Sequence, residues 1–322
     1  MAELGTYHTP VQLLEPLSTA ASCLWVKRDD LTHPLYGGSK LRKLGRLLDD
    51  AQEVGATRLV TVGAVGSHHL LCTGIFGKRA GLEVEAVVLR QPQSNHVLET
   101  LRASVGQGVR LIPADSYSAA ARHLAASAAN GAYSIPAGGS NRLGTLGMLD
   151  AASELAAQVQ AGELPEPDLL VVALGSGGTV GGLLAGLAQA RLRTRVLAVA
   201  VTDPVQVFAH KARALAKELV DDPLRPHVLQ RLEIERGYLG AGYGYASAVG
   251  EHATLQAARV GLTLDATYTA KAFAAALARV ALGRERQILF WHTLSSAPLS
   301  PLLSNAPQES ELDPELRRLA HD

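Results

Sequence analysis

Short apolar runs, each closed by a glycine, a proline or a polar cluster, recur at residues 23–27, 58–62, 84–89, 109–113, 133–136, 168–174, 195–201 and 287–291. The most continuous of them, Leu169-Leu170-Val171-Val172-Ala173-Leu174 behind Asp168, has no alternation to give it a wet face. Such a run predicts a strand buried on both sides, as in a parallel sheet covered by helices. Segments of helical length separate the runs, the first at 41–54. Strand and helix alternating over this length predict a doubly wound α/β architecture, whose ligand cleft lies beyond the carboxyl ends of the strands. Thr9-Pro10 and Glu15-Pro16 predict an extended lead-in to the first run. After Leu303 the chain turns polar, with Glu309, Glu311, Asp313 and Glu315 close together, and a loose tail is expected there.

Three of these strands run into glycine turns that carry hydroxyls. Gly175-Ser176-Gly177-Gly178-Thr179 follows the 168–174 run and leads into a helix. Glycines let the backbone turn tightly and approach a ligand, and the next helix offers unpaired N–H groups at its positive end. The combination is an anion cradle, most naturally for a phosphate. Gly63-Ala64-Val65-Gly66-Ser67-His68-His69 is a second such turn, with Ser67 where a helix N-cap belongs. Ala137-Gly138-Gly139-Ser140-Asn141-Arg142-Leu143-Gly144 is a third.

Length changes the picture, because 322 residues exceed one ordinary domain and favour two lobes. Lys plus Arg and Asp plus Glu both number 30, so nothing in the charge argues for nucleic acid or an anionic membrane. Small molecules and a second copy of the chain remain as partners. The two cysteines, Cys23 and Cys72, support neither a disulfide framework nor a cysteine zinc cluster, and no metal site is expected. No leader pattern and no apolar run of spanning length appear, which points to the cytoplasm. The chemistry then concentrates in Lys27-Arg28-Asp29-Asp30 and in Gly37-Gly38-Ser39-Lys40-Leu41-Arg42-Lys43, a glycine turn feeding a helix. Cations disfavour a helix amino end, so Lys40 and Arg42 need a ligand or a carboxylate to compensate them.

With these segments placed, the chain resembles the pyridoxal-phosphate enzymes of the tryptophan-synthase-β fold, fold type II, and within them the group of D-cysteine desulfhydrase and 1-aminocyclopropane-1-carboxylate deaminase. The motifs occur in family order over roughly residues 9 to 300. The resemblance implies that Lys40 forms the Schiff base with pyridoxal 5'-phosphate and that the turn at Ser67 holds the carboxylate of a small amino-acid substrate. It implies that Gly175, Ser176, Gly177, Gly178 and Thr179 surround the cofactor phosphate, with Ser39, His68, Thr269 and Thr293 also around the cofactor. Tyr243 and Tyr268, in Gly242-Tyr243-Gly244 and Thr267-Tyr268-Thr269, fall on the two tyrosine motifs beside the cofactor ring. The lysine needs a neutral amine to attack an aldehyde, and cationic neighbours Arg42 and Lys43 are expected to depress its pKa. A smaller lobe of 44–150 inserted in a larger cofactor-binding lobe of 1–43 and 151–322 is expected, as is a homodimer.

The chain departs from that pattern at Ser39 for Asn, at Gly66-Ser67-His68 for Gln-Ser-Asn, and at Leu294-Ser295-Ser296-Ala297-Pro298 for Gly-Gly-x-Pro. Thr269 and Thr293 stand where cyclopropane deaminases carry Glu and Leu, which is the desulfhydrase-like choice. The expected reaction is α,β-elimination on a small D-amino acid, first of all D-cysteine, with the cyclopropane substrate or another β-substituted amino acid as the alternative. Two other classes compete: a nicotinamide oxidoreductase, from the loose spacing of Gly175, Gly177 and Gly181 with Asp203, and a degenerate amino-acid-binding protein. The oxidoreductase reading leaves Lys40 unexplained.

Overall fold

Leu169–Leu174 is a strand with an apolar core on each face in the computed structural model, which describes residues 4–321. The strands are β1 (Val11–Leu13), β2 (Cys23–Lys27), β3 (Arg58–Ala64), β4 (Glu83–Leu89), β5 (Arg110–Pro113), β6 (Tyr133–Ile135), β7 (Leu169–Leu174), β8 (Arg195–Ala200), β9 (Leu232–Glu235) and β10 (Gln287–Trp291). The helices are α1 (Ser39–Glu53), α2 (His68–Arg79), α3 (Asn95–Gly106), α4 (Tyr117–Ala129), α5 (Arg142–Gln160) and α6 (Gly178–Gln189), followed by α7 (Val205–Glu218), α8 (Arg225–Gln230), α9 (Ala248–Ala258), α10 (Thr269–Leu282), α11 (Ser300–Leu303) and α12 (Pro314–His321). The chain divides into two units: Leu44–Gly139 with Leu4 and everything from Pro298 on, and Gly5–Lys43 with Ser140–Ala297.

The second unit holds a sheet in the order β1-β2-β10-β7-β8-β9, parallel throughout except where β1 pairs with β2. Period two deals the β7 run out to two cores. Leu170, Val172 and Leu174 pack with Met148, Leu155 and Leu183 of α5 and α6, while Leu169 and Val171 pack with Phe273 and Ala276 of α10. Each such fully buried Leu or Val contributes about 1.5–3 kcal/mol. The helix pair α5–α6 closes on a glycine seam: a Cβ on Gly182 would lie 2.5 Å from Thr145 O, and one on Gly186 would lie 2.6 Å from Ala152 Cβ. The extended lead-in is β1, an antiparallel edge strand. The short edge strand β9 was not expected, because Leu-Glu-Ile-Glu is brief and half charged.

The first unit holds β5-β4-β3-β6, all parallel, with α2 buried along most of its length. Two expectations fail here. The residues after Leu303 form a second layer rather than a loose tail: α12 buries Leu316 and Ala320, Arg102 Nε of α3 donates to Pro307 O at 2.8 Å, and a Cβ on Gly106 would meet Ala306 Cα at 2.9 Å. The lobe boundaries differ as well. Residues 140–150 belong with the second unit, where the glycine seam packs α5 on α6, and 298–321 belong with the first. Among the described residues no helix is long and apolar enough to cross a membrane.

Candidate active site

Lys40 sits in the first turn of α1, and the loop before it is fixed by backbone. Gly38 takes φ +96°, and a Cβ there would fall 2.6 Å from Thr293 O; Ser39 N donates to that same oxygen at 3.2 Å. Gly38 N also donates to Asp29 O at 3.0 Å, so the start of α1 is tied to the ends of β2 and β10. Lys40 Nζ lies 5.1 Å from the centroid of the Tyr268 ring. The Tyr268 hydroxyl is 2.7 Å from that of Tyr243, the rings meeting edge to face at 5.6 Å. A Cβ on Gly175 would touch the Tyr268 ring at 3.3 Å. The chain therefore brings Lys40, Tyr243, Tyr268 and the first glycine of the β7 turn together past the carboxyl end of the strand, where ligands bind in open α/β sheets.

The cations next to Lys40 find carboxylates. Arg42 Nη2 donates to Asp29 Oδ1 at 2.7 Å and its Nη1 to Glu154 Oε2 at 2.9 Å. Lys27 Nζ donates to Thr9 O at 2.7 Å, to Gln158 Oε1 at 2.5 Å and to Glu154. All four charged groups are buried, two of each sign. Burial by itself would raise the Asp29 carboxyl, but Arg42, Lys27 and the Ser39 hydroxyl hold it below the ordinary carboxylate value; Glu154 is held low in the same way by Arg42 and Lys27. The compensation expected for Arg42 at the helix start is thus supplied by Asp29 and Glu154 inside this cluster. Asp29 Oδ2 also accepts from Ser39 Oγ at 2.7 Å and from Trp291 Nε1 at 2.8 Å. Ser39 is committed to the cluster that anchors the helix start.

The turn after β7 has the geometry of a small cradle. Gly177 has φ +93° at the N-cap of α6 and brings no capping side chain. Ser140 Oγ, from the third glycine turn, lies 2.7 Å from Ser176 Oγ and accepts from Gly178 N at 3.2 Å, and a Cβ on Gly178 would fall 2.5 Å from it. Any side chain at Gly178 would fill this cradle. Ser140 was visible in the sequence only as part of a turn; nothing marked it as the second wall.

Thr269 opens α10 with Asp265 rather than standing free. Its hydroxyl donates to Asp265 Oδ1 at 2.6 Å, while Asp265 Oδ2 accepts from Thr267 N at 3.1 Å and Tyr268 N at 2.9 Å. Asp265 thus fixes the backbone that carries Tyr268, a role that no local signal announces. At the end of β10, burial holds the His292 imidazole below its ordinary value, and Thr293 beside it is half-buried.

The Ser67 turn belongs to the first unit. Ser67 caps α2, its Oγ accepting from His69 N at 3.2 Å. His68 Nε2 and His96 Nε2 are 3.1 Å apart. Thr61 Oγ1 donates to Ile135 O at 2.9 Å, so it receives the Nε2 proton of His69 across 2.9 Å. Val97 leaves no room for a side chain at Gly66, where a Cβ would lie 2.8 Å from Val97 Cγ2.

The sequence profile of the family described as "Pyridoxal-phosphate dependent enzyme" matches residues 2–293. The chain belongs to that family. It is 35% identical over 303 residues to a Pyrococcus furiosus protein named "Putative 1-aminocyclopropane-1-carboxylate deaminase", covering 90% of each chain. It is 33% identical over 305 residues to the D-cysteine desulfhydrase of Serratia proteamaculans, covering 88% of this chain and 90% of the relative. A crystal structure described as that of an ACC deaminase homologue superposes with a TM-score of 0.77 at 31% identity, over 94% of this chain and 95% of that one. The fold is that of fold type II pyridoxal-phosphate enzymes, and the cofactor is pyridoxal 5'-phosphate.

The residues of this pyridoxal-phosphate enzyme suit that cofactor. The α6 amino end, with Ser176, Thr179 and Ser140 around a glycine that admits no Cβ, matches a phosphate. A lysine over a tyrosine face matches an aldehyde carrier.

Proposed function

We propose that this enzyme is a lyase that eliminates a β-substituent from a small D-amino acid, first of all D-cysteine, which with one water gives pyruvate, ammonia and sulfide. The observation that carries the reading is Thr269 and Thr293 in place of the Glu and Leu of cyclopropane deaminases, a hydroxyl environment in which no extra carboxylate would favour protonation of the ring nitrogen. The nearby carboxylate, Asp265, is spent on three backbone N–H groups and the Thr269 hydroxyl.

Bound cofactor withdraws electrons from the amino-acid Cα. Lys40 Nζ would hold the cofactor at rest and, as a free amine, would take the Cα proton. The paired hydroxyls of Tyr243 and Tyr268 present a donor and an acceptor beside Lys40. Gly175, Ser176, Gly177, Gly178 and Thr179 would hold the phosphate, and the Ser67 hydroxyl, whose oxygen already caps α2, would have its proton to donate to a substrate carboxylate. The deaminase in the name of the Pyrococcus relative favours a second reading, opening of the cyclopropane amino acid. We place the enzyme in the cytoplasm as a homodimer; a light-scattering mass near 33.8 kDa would remove the dimer.

The enzyme is to be incubated with D-cysteine, L-cysteine, D-serine, β-chloro-D-alanine and the cyclopropane amino acid, with pyruvate, 2-oxobutyrate and sulfide assayed. Sulfide and pyruvate from D-cysteine ahead of the others are expected. Preferential 2-oxobutyrate from the cyclopropane substrate would hand the site to the second reading, and no product from any would leave an amino-acid-binding protein.

A further inference from the structure

Lys271 is fully buried in the first turn of α10, and its ammonium donates to Leu239 O and to Gly242 O, each at 2.8 Å. Burial pushes this ammonium below its ordinary pKa, opposed by the Asp265 carboxylate. A methionine or leucine would fill a buried helix face at lower cost than an ammonium without a direct ion pair. What the charge holds is a turn otherwise closed by two backbone bonds, Gly242 N to Leu239 O at 3.2 Å and Leu239 N to Arg236 O at 3.1 Å. Gly240 and Gly242 have φ of +63° and +116°, a Cβ on Gly242 would meet nothing within 4 Å, and Ala241 and Tyr245 are exposed. The next residue is Tyr243, whose hydroxyl is paired with that of Tyr268 beneath Lys40.

We propose that Lys271 is a positioning residue: its ammonium clamps the 239–242 turn by two carbonyls and so sets the Tyr243 hydroxyl against Tyr268. The inference rests on the reading that Lys40 carries the cofactor. Two backbone carbonyls facing one buried cation fix the turn in both distance and direction, which packing against glycines does not.

Lys271→Met keeps the apolar stem and removes the donors, and Lys271→Gln keeps two N–H donors on a shorter stem. In cofactor-free protein, hydrogen exchange in Lys271→Met is expected to accelerate about tenfold or more over residues 236–247 while α9 and the rest of α10 keep their protection. In the holoenzyme the lysine-bound absorbance band, bleached by borohydride, should persist, with kcat down about 10- to 100-fold and KM within about threefold. Lys271→Gln should fall between Lys271→Met and the unaltered enzyme in both readings. Exchange accelerated throughout α9 and α10, or an unchanged kcat in whichever variant folds, would overturn the clamp. If the unaltered enzyme shows no bleachable band, the cofactor reading fails instead, and the exchange pattern still decides the clamp.

Discussion

Two turns in this chain have one grammar, a parallel strand, a glycine, a hydroxyl and a helix, and they spend it differently. At α2 the serine turns back on its own helix: Ser67 Oγ accepts from His69 N and closes the amino end. At α6 the N-cap is Gly177, which has nothing to close with, and the wall opposite is a serine from another turn, Ser140. At α2 the cap comes from the serine at the N-cap itself and takes His69 N; at α6 Gly178 N goes to Ser140 Oγ of another turn, and the left-handed Gly177 brings no side chain over the N–H groups beside it. Sequence similarity between two glycine turns is therefore poor evidence of a shared role, and the side chain at the N-cap is what separates them.

The contrast breaks or holds on changes placed on either side of it. Lys40→Ala should abolish the bleachable band and lower turnover by about 10²–10⁴-fold, the scale of a lost acid–base group, read by absorbance and product assay. Borohydride labelling of Lys43 or Lys271 would refute the assignment. Asp29→Asn should cost about 3–5 kcal/mol in denaturant unfolding, because it leaves Arg42 and Lys27 buried with one carboxylate between them. Asp29 and Glu154 both titrate below their ordinary values when folded. Their stabilisation is therefore full above the unfolded carboxylate range and is lost as pH falls below about 4 towards their lower folded values, so the Asp29→Asn deficit should shrink in acid unfolding curves.

Gly178→Val should cost about 1–3 kcal/mol of overpacking against Ser140 and, beyond that, weaken the hold on cofactor about 10–100-fold in a dialysis or fluorescence titration. Ser67→Ala should show the opposite balance: a loss of about 1 kcal/mol in melting experiments from the missing cap, with cofactor affinity unmoved. If Ser67→Ala released the cofactor, or Gly178→Val did not, the two turns would be alike after all.

Much of this was legible in advance. The strands from β2 through β8 and β10 follow from apolar runs, and Ser67 as an N-cap follows from its place before a helix. What escaped has a common cause, dependence on distant partners. Arg42 and Glu154 meet across 112 positions, so an apparent helix-end penalty near Lys40 gave no hint of which carboxylate relieved it. Asp265 and Lys271 hold backbone groups, which leave no trace in composition. The segment after Leu303 was misread because its acidic residues outweigh the spaced Leu312, Leu316 and Ala320 that anchor it.

The glycines of α6 bear on how the proposed phosphate loop can be tuned. Gly178, Gly182 and Gly186 recur every four residues, so one stripe both seats α5 and ends at the cradle. Against α5 the helix has no slack: a methyl added at Gly186 would meet Ala152 Cβ at 2.6 Å and push on a helix whose other end, Gly178, is about 12 Å away by helical rise. The site then has a lever that no ligand touches, through which remote replacements can retune cofactor retention while every residue around the cofactor stays the same.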